Sequence, residues 1–194
     1  MKALHPEFIV AIGGSAGGLN AYKALLEALP SNTGMAFVFV AHIVPTANSQ
    51  LAQILSRHTR MRVVLASMEM EILRDQVYVC PPNVDLLVEN YLFKVVSPRS
   101  KPNVVVDLFM TSLAAAMGAR AIGIILSGFD GDGTFGCSQI KANGGTTFAQ
   151  DESAEVDSMP LSAQASGSID FVLSPDKIAN QLRKLAKTSK GSEA

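Results

Sequence analysis

Four side chains in this chain of 194 residues combine reactivity with a setting that would expose it: Ser15, His42, Asp130 and Asp132. Ser15 is the centre of Gly13-Gly14-Ser15-Ala16-Gly17, which fits the G-x-S-x-G pattern of a nucleophile elbow. In such an elbow a sharp strand-to-helix turn lifts the serine hydroxyl clear of the backbone, and small neighbours keep it accessible. A serine hydroxyl attacks only when a neutral imidazole takes its proton. The imidazole in turn needs a carboxylate to hold its tautomer and stabilise its charged form. His42 and the Asp130/Asp132 pair supply both residue types. Each residue also has a plain structural use. Ser15 suits a small turn position or a phosphate-binding glycine loop, His42 a strand end satisfied by a carbonyl, and Asp beside Gly a turn or helix cap. What favours chemistry is that all of them directly follow buried apolar strands.

Those strands and the elements around them set the architecture. Phe8 to Ile12 and Met35 to Ala41 are continuous apolar runs, as expected of strands buried on both faces of a parallel sheet. Leu19 to Leu29 reads as an amphipathic helix ended by Pro30, and Ser49 to His58 as a second helix. Arg62 to Ala66 and Gln76 to Cys80 read as short strands, Pro81-Pro82-Asn83 as a turn, and Asp85 to Val88 with Tyr91 to Val96 as a β-hairpin. Alternation then resumes. A helix over Val106 to Met117 leads to the strand Ala121 to Leu126 and the turn Ser127-Gly128-Phe129-Asp130-Gly131-Asp132-Gly133. A helix to Asn143 follows, ended by Gly144-Gly145. Thr146 to Ala149 is a strand, Ser162 to Ser166 a short helix, Ile169 to Leu173 a last strand, and Pro175 to Ala186 a last helix with Pro in its first turn. The expected fold is a single α/β domain over residues 1–186. It is doubly wound, with a mostly parallel sheet, helices on both faces and a small antiparallel hairpin, and residues 187–194 form a polar tail. In such a sheet the carboxyl ends of neighbouring strands share one edge, where ligands bind. Residues far apart in sequence meet there.

Composition narrows the function further. Apolar residues make up 48% and charged residues 17%, with a net charge of −1, the balance of a compact globular chain. The basic residues form no long run, which argues against nucleic acid and against an anionic membrane as partners. No apolar segment reaches membrane-spanning length and Met1 to Phe8 lacks a signal pattern, so direct membrane insertion is not expected and the location is cytoplasmic. Cys80 and Cys137 have no CxxC spacing and read as buried free thiols. A dinucleotide site would want a glycine where Ser15 stands and an acid where His42 ends the second strand. His5, His42 and His58 are not at ligand spacing, which weakens a metal site, and acyl transfer through a serine, a histidine and a carboxylate calls for no metal or organic cofactor.

With these residues laid out, the chain resembles the catalytic domain of the CheB-type chemotaxis protein-glutamate methylesterases over roughly Phe8 to Leu185. The matching pieces are Ile12 to Gly18, Val40-Ala41-His42, Val77 to Pro82, Leu126 to Gly133, Phe148 to Asp151 and Ser158-Met159-Pro160. His58 to Met61 and Asp107 to Ala114 look most like the branch in which this domain is fused to a methyltransferase. The resemblance implies a hydrolase acting on γ-glutamyl methyl esters of methyl-accepting chemoreceptor cytoplasmic helices, with deamidation of receptor glutamines as a second activity. It also implies Ser15 as nucleophile, His42 as general base, Asp132 rather than Asp130 as the orienting carboxylate, and the backbone N–H of Phe129 as an oxyanion donor. Spacing alone leaves Asp130 and Asp132 undecided.

Three departures stand out. Ala16 occupies a position where many members have Thr, Asp130 adds a second carboxylate beside the triad acid, and the chain begins at the catalytic strand where members commonly carry a receiver domain. Flanking receiver or methyltransferase domains in a longer protein are therefore one expectation, and regulation by other means is the alternative. A catalytically silent adaptor that docks receptors is the competing function, though it would have no need of all three triad residues. The loops Val44 to Asn48 and Arg99 to Asn103 are expected to rim the active edge.

Overall fold

The computed structural model describes residues 4–15, 17–41, 48–101 and 103–191. Its centre is β1 (Ile9–Gly14), six residues without an exposed position. A strand hidden on both faces needs neighbours on both edges and helices above and below. β1 has them: β2 (Ala36–Ala41) pairs on one side and β7 (Ala121–Ile125) on the other, both parallel. The full sheet has seven strands in the order β3-β4-β2-β1-β7-β8-β9. The outer members are β3 (Arg62–Leu65), β4 (Gln76–Val79), β8 (Thr146–Gln150) and β9 (Phe171–Leu173). Every pairing in it is parallel. The expected α/β fold is the observed one.

Side chains of one strand point alternately to opposite faces, and β1 shows how this divides the core. Val10 and Ile12 join the apolar cluster of α1 (Gly18–Ala28), α2 (Asn48–Leu55) and α6 (Pro175–Gly191). Ile9 and Ala11 join the cluster of α3 (Val105–Met117), α4 (Thr134–Ala142) and α5 (Ser158–Ala165). The hairpin, β5 (Asp85–Glu89) with β6 (Leu92–Val96), forms its own two-stranded antiparallel sheet and packs on that second face. Its two loop residues, Asn90 and Tyr91, both have positive φ (50° and 60°), the backbone of a type I′ turn that suits the strand twist.

β3 and β4, in the section where alternation breaks, extend the parallel sheet as its outer strands, and the hairpin is the antiparallel element, as expected. Two element bounds differ from expectation. α5 begins at Ser158, four residues before the expected start, because Pro160 falls in the first turn, where no N–H is required. α6 continues to Gly191, past the expected end at Ala186. Cys80 and Cys137 are free and buried as expected. Burial pushes the Cys80 thiol up to about 12.

Candidate active site

The chain leaves β1 toward β2 on one side and returns much later as β7 on the other. Such a reversal of strand order opens a crevice at the carboxyl ends of the two adjacent strands. Both glycine-rich turns emerge there. After Gly14 the backbone turns through Ser15 and reaches Gly17, whose φ of +72° starts α1. The Gly18 N–H donates back to the Ser15 carbonyl (3.0 Å), closing the turn. On the β7 side, Leu126 N–H donates to the Gly13 carbonyl (2.9 Å), and Ser15 N–H donates to the Ser127 carbonyl (3.0 Å). The pairing of β1 with β7 thus runs on beyond the strands and fixes one turn against the other.

The half-buried Ser15 stands at the amino end of α1, where the helix dipole favours negative charge. Its Oγ accepts the Phe129 backbone N–H at 2.9 Å. That contact depends on the absence of a side chain at residue 128. A Cβ on Gly128 would lie 2.2 Å from Met159 Sδ, 2.7 Å from Ser15 Oγ and 2.9 Å from Ser15 N. The turn after β7 is itself strapped down by the segment before α5. Gly128 N–H donates to the Val156 carbonyl (2.9 Å) and Met159 N–H to the Gly128 carbonyl (3.0 Å). The Ser127 hydroxyl accepts Val156 N–H (2.9 Å), while Ser127 N–H donates to Oε1 of the buried Gln150 (2.9 Å). The Phe129 side chain, 60% exposed, faces outward beside the serine.

The two aspartates of this turn separate clearly. Asp130 is exposed and has a φ of +68°; its Oδ1 accepts the Asp132 N–H at 2.9 Å, the hydrogen bond of an Asx turn. Asp132 is 3% exposed. Its Oδ2 accepts Val106 N–H (3.0 Å) and its Oδ1 accepts Asp107 N–H (2.9 Å), both from the first turn of α3. A carboxylate has about four acceptor sites, so these two bonds orient Asp132 and leave it capacity to accept from a histidine.

Asp107 is a second buried-side carboxylate that sequence reasoning did not single out for the site. It accepts Gly136 N–H at 2.7 Å. Burial pushes its carboxyl above the usual carboxylate range, helped by the charge of Asp132 and opposed by the N–H groups of Gly136, Gly133 and Phe135. The only signal in the sequence was an acid in the first turn of a helix.

His42 and Ala16 lie outside the described residues, as do Val44 to Ala47 of the first expected rim loop. The second rim segment, Arg99 to Asn103, leads directly into α3, with Ser100 N–H donating to Asp85 Oδ2 at 2.7 Å. A cavity of about 640 Å³ between Leu29, Pro30, Arg57 and His58 belongs to the opposite edge, where loops enter β2 and β3. Ser15, Asp130 and Asp132 do not line it. Among the described residues, no helix is long and apolar enough to cross a membrane.

Comparison with known proteins agrees with this geometry. The family profile described as CheB methylesterase matches residues 10–182. A Leptospira interrogans protein is 36% identical over 174 residues, 88% of this chain and 90% of that one. It carries the double name protein-glutamate methylesterase/protein-glutamine glutaminase in provisional form. A Burkholderia thailandensis protein named protein-glutamate methylesterase/protein-glutamine glutaminase 3 is 34% identical over 184 residues. The match covers 91% of this chain and 51% of that protein. The crystal structure of the Thermotoga maritima CheB methylesterase catalytic domain superposes with a TM-score of 0.86 at 31% identity, covering 92% of this chain and 98% of that domain. The relatives so named are hydrolases. By profile, sequence and fold, with a serine seated in the crevice between β1 and β7, this chain belongs to the CheB methylesterase family.

Proposed function

We propose that this chain is a serine hydrolase that removes methyl esters from glutamyl side chains on the cytoplasmic helices of methyl-accepting chemoreceptors. Deamidation of receptor glutamines runs through the same centre, with ammonia as the leaving group in place of methanol. The observation that carries the reading is the 2.9 Å bond from Phe129 N–H to Ser15 Oγ at the carboxyl edge. A backbone donor that already reaches the attacking oxygen is close to where the carbonyl oxygen of a bound ester must lie. The names of the relatives supply the substrate class.

In this mechanism His42 takes the Ser15 proton as Oγ forms a bond to the ester carbonyl carbon. The carbonyl electron pair moves to oxygen, and Phe129 N–H together with the positive end of α1 stabilises that oxyanion. Collapse of the tetrahedral intermediate breaks the carbon–methoxy bond, and His42 returns its proton to the leaving oxygen, releasing methanol. Water then attacks the acyl-enzyme with His42 again as base, giving the glutamate and restoring Ser15. Asp132, held by the Val106 and Asp107 N–H groups, orients the imidazole and stabilises its charged form. Every step is a proton or acyl transfer among these side chains and water. The receptor substrate sets the place of action in the cytoplasm.

The test is methanol release from a radiolabelled, methylated receptor cytoplasmic fragment by the wild-type chain and by Ser15→Ala. Ser15→Ala is expected to lower kcat by at least about 10³-fold with unchanged thermal unfolding. Equal release by both variants would move the chemistry off Ser15. Release by neither folded protein would favour the adaptor over the enzyme.

A further inference from the structure

Two carboxylates tie the amino-terminal ends of α3 and α4 to each other. Asp132 precedes α4 and accepts the Val106 and Asp107 N–H groups of α3. Asp107, in the first turn of α3, accepts the Gly136 N–H in the first turn of α4 at 2.7 Å. The first N–H groups of a helix have no partner within it and need an outside acceptor. Neither helix is closed by a side-chain bond from its own N-cap residue, Val104 or Gly133. Each helix therefore draws its cap from the other. The approach is close at this point: a Cβ on Gly136 would lie 2.6 Å from Met110 Cβ and 3.2 Å from Asp107 Cα. Among the described residues, the ionisable groups whose charges interact with Asp107 are Asp132 and the buried Cys137 thiol.

We infer that Asp107 is a positioning residue for the reaction: its bond to Gly136 N–H holds the start of α4, and with it Asp132, in register with α3. The inference rests on the reading of Asp132 as the carboxylate that orients His42. Asp132 is fixed at its side chain by α3 and at its backbone by the turn entering α4. A slip between the two helices therefore turns its carboxylate out of the orientation that the Val106 and Asp107 N–H groups set. Shifts of about 1 Å in catalytic geometry cost on the order of 10²-fold in rate. The carboxyl of Asp107 stays in place although burial and the neighbouring charge work against its ionised form.

The experiment compares Asp107→Ala, Asp107→Leu and Asp107→Asn with wild type and Ser15→Ala in the methanol-release assay, fitting kcat and KM separately. Alanine and leucine remove the acceptor, and leucine keeps a branched side chain that leaves no cavity should the alanine variant fail to fold. Asparagine keeps an oxygen for Gly136 N–H. The expected result is a kcat loss of about 30- to 100-fold for Ala and Leu, KM within about twofold, and recovery to within about threefold of wild type for Asn. A kcat within about twofold of wild type in both acceptor-free variants overturns the inference. So does a loss in Asn as large as theirs, or an effect confined to KM. These outcomes require an active wild type, so they remove Asp107 alone. A wild type no faster than Ser15→Ala defeats the esterase reading, and the positioning role falls with it.

Discussion

At the scale of single residues, the site depends on how little space surrounds Ser15. The Phe129 N–H reaches Oγ only because Gly128 has no side chain, and a methyl there would press on both the nitrogen and the hydroxyl oxygen of Ser15. Met159 can yield at its flexible end, but the Ser15 backbone is held by the Ser127 carbonyl and cannot. Gly128→Ala is therefore expected to lower kcat for methanol release by at least about 10²-fold, the loss typical of one oxyanion donor. KM should change little and cooperative unfolding should persist. A variant with wild-type kcat would show that the Phe129 donor is dispensable. The G-x-S-x-G pattern made Ser15 legible, and the glycines after β7 did the same for the turn opposite. The choice between Asp130 and Asp132 was not legible from spacing. One is exposed and the other buried because α3, more than twenty residues earlier in the chain, presents its first N–H groups to Asp132.

At the scale of elements, one polar knot fastens α4 to the outer strands. Asp170, just before β9, accepts Thr147 N–H (3.0 Å) and the Thr147 hydroxyl (3.1 Å) of β8 and pairs with Lys141 of α4. Burial pushes the Asp170 carboxyl up, but the Lys141 and Thr147 hydrogen bonds outweigh it and hold the group below the usual carboxylate range. A carboxyl whose folded value lies below its unfolded value contributes stability above the unfolded value of about 3.9 and loses it as pH falls through the folded one. Lys141 is half exposed, so solvent screening keeps its share small. Lys141→Met is expected to cost under about 1 kcal/mol at neutral pH. The difference from wild type should shrink as pH falls below the usual carboxylate range in paired urea titrations, and a deficit that persists in acid would assign the loss to packing.

At the scale of the whole molecule, the hairpin forms no ladder with the seven-stranded sheet. Backbone bonds tie it to the connection between β3 and β4, with Glu69 N–H donating to the Phe93 carbonyl (2.8 Å) and Ile72 N–H to the Tyr91 carbonyl (2.7 Å). Side chains carry it further: Tyr78 of β4 meets Phe93 of β6 edge-on (5.0 Å between ring centres), and Phe93 meets Phe109 of α3 at 6.5 Å. All three are buried. Because α3 also carries the N–H groups that orient Asp132, this aromatic column connects the hairpin to the helix that supports the site. Phe109→Ala is expected to destabilise the fold by about 3–5 kcal/mol in urea unfolding, with faster amide exchange in β5 and β6. Loss of stability without faster exchange in the hairpin would assign its attachment to other contacts.

The sequence by itself determined most of what is local. Continuous apolar runs mark the buried parallel strands β1, β2 and β7, alternation with helices gives the α/β class, and the small residues around Ser15 mark a turn that exposes a hydroxyl. These features are encoded within about ten neighbouring residues, where periodicity and turn chemistry act directly. Tertiary structure alone decided the rest. The insertion of β4 between β3 and β2, the extension of α6 to Gly191, the outward-facing Asp130 and the exchange of caps between α3 and α4 all depend on which distant surfaces meet. Asp107 shows the reason most plainly. In sequence it is an acid in the first turn of its own helix, where it would complement that helix's dipole. In the fold its carboxylate serves the next helix, because packing of α3 against α4 brought Gly136 N–H within 2.7 Å.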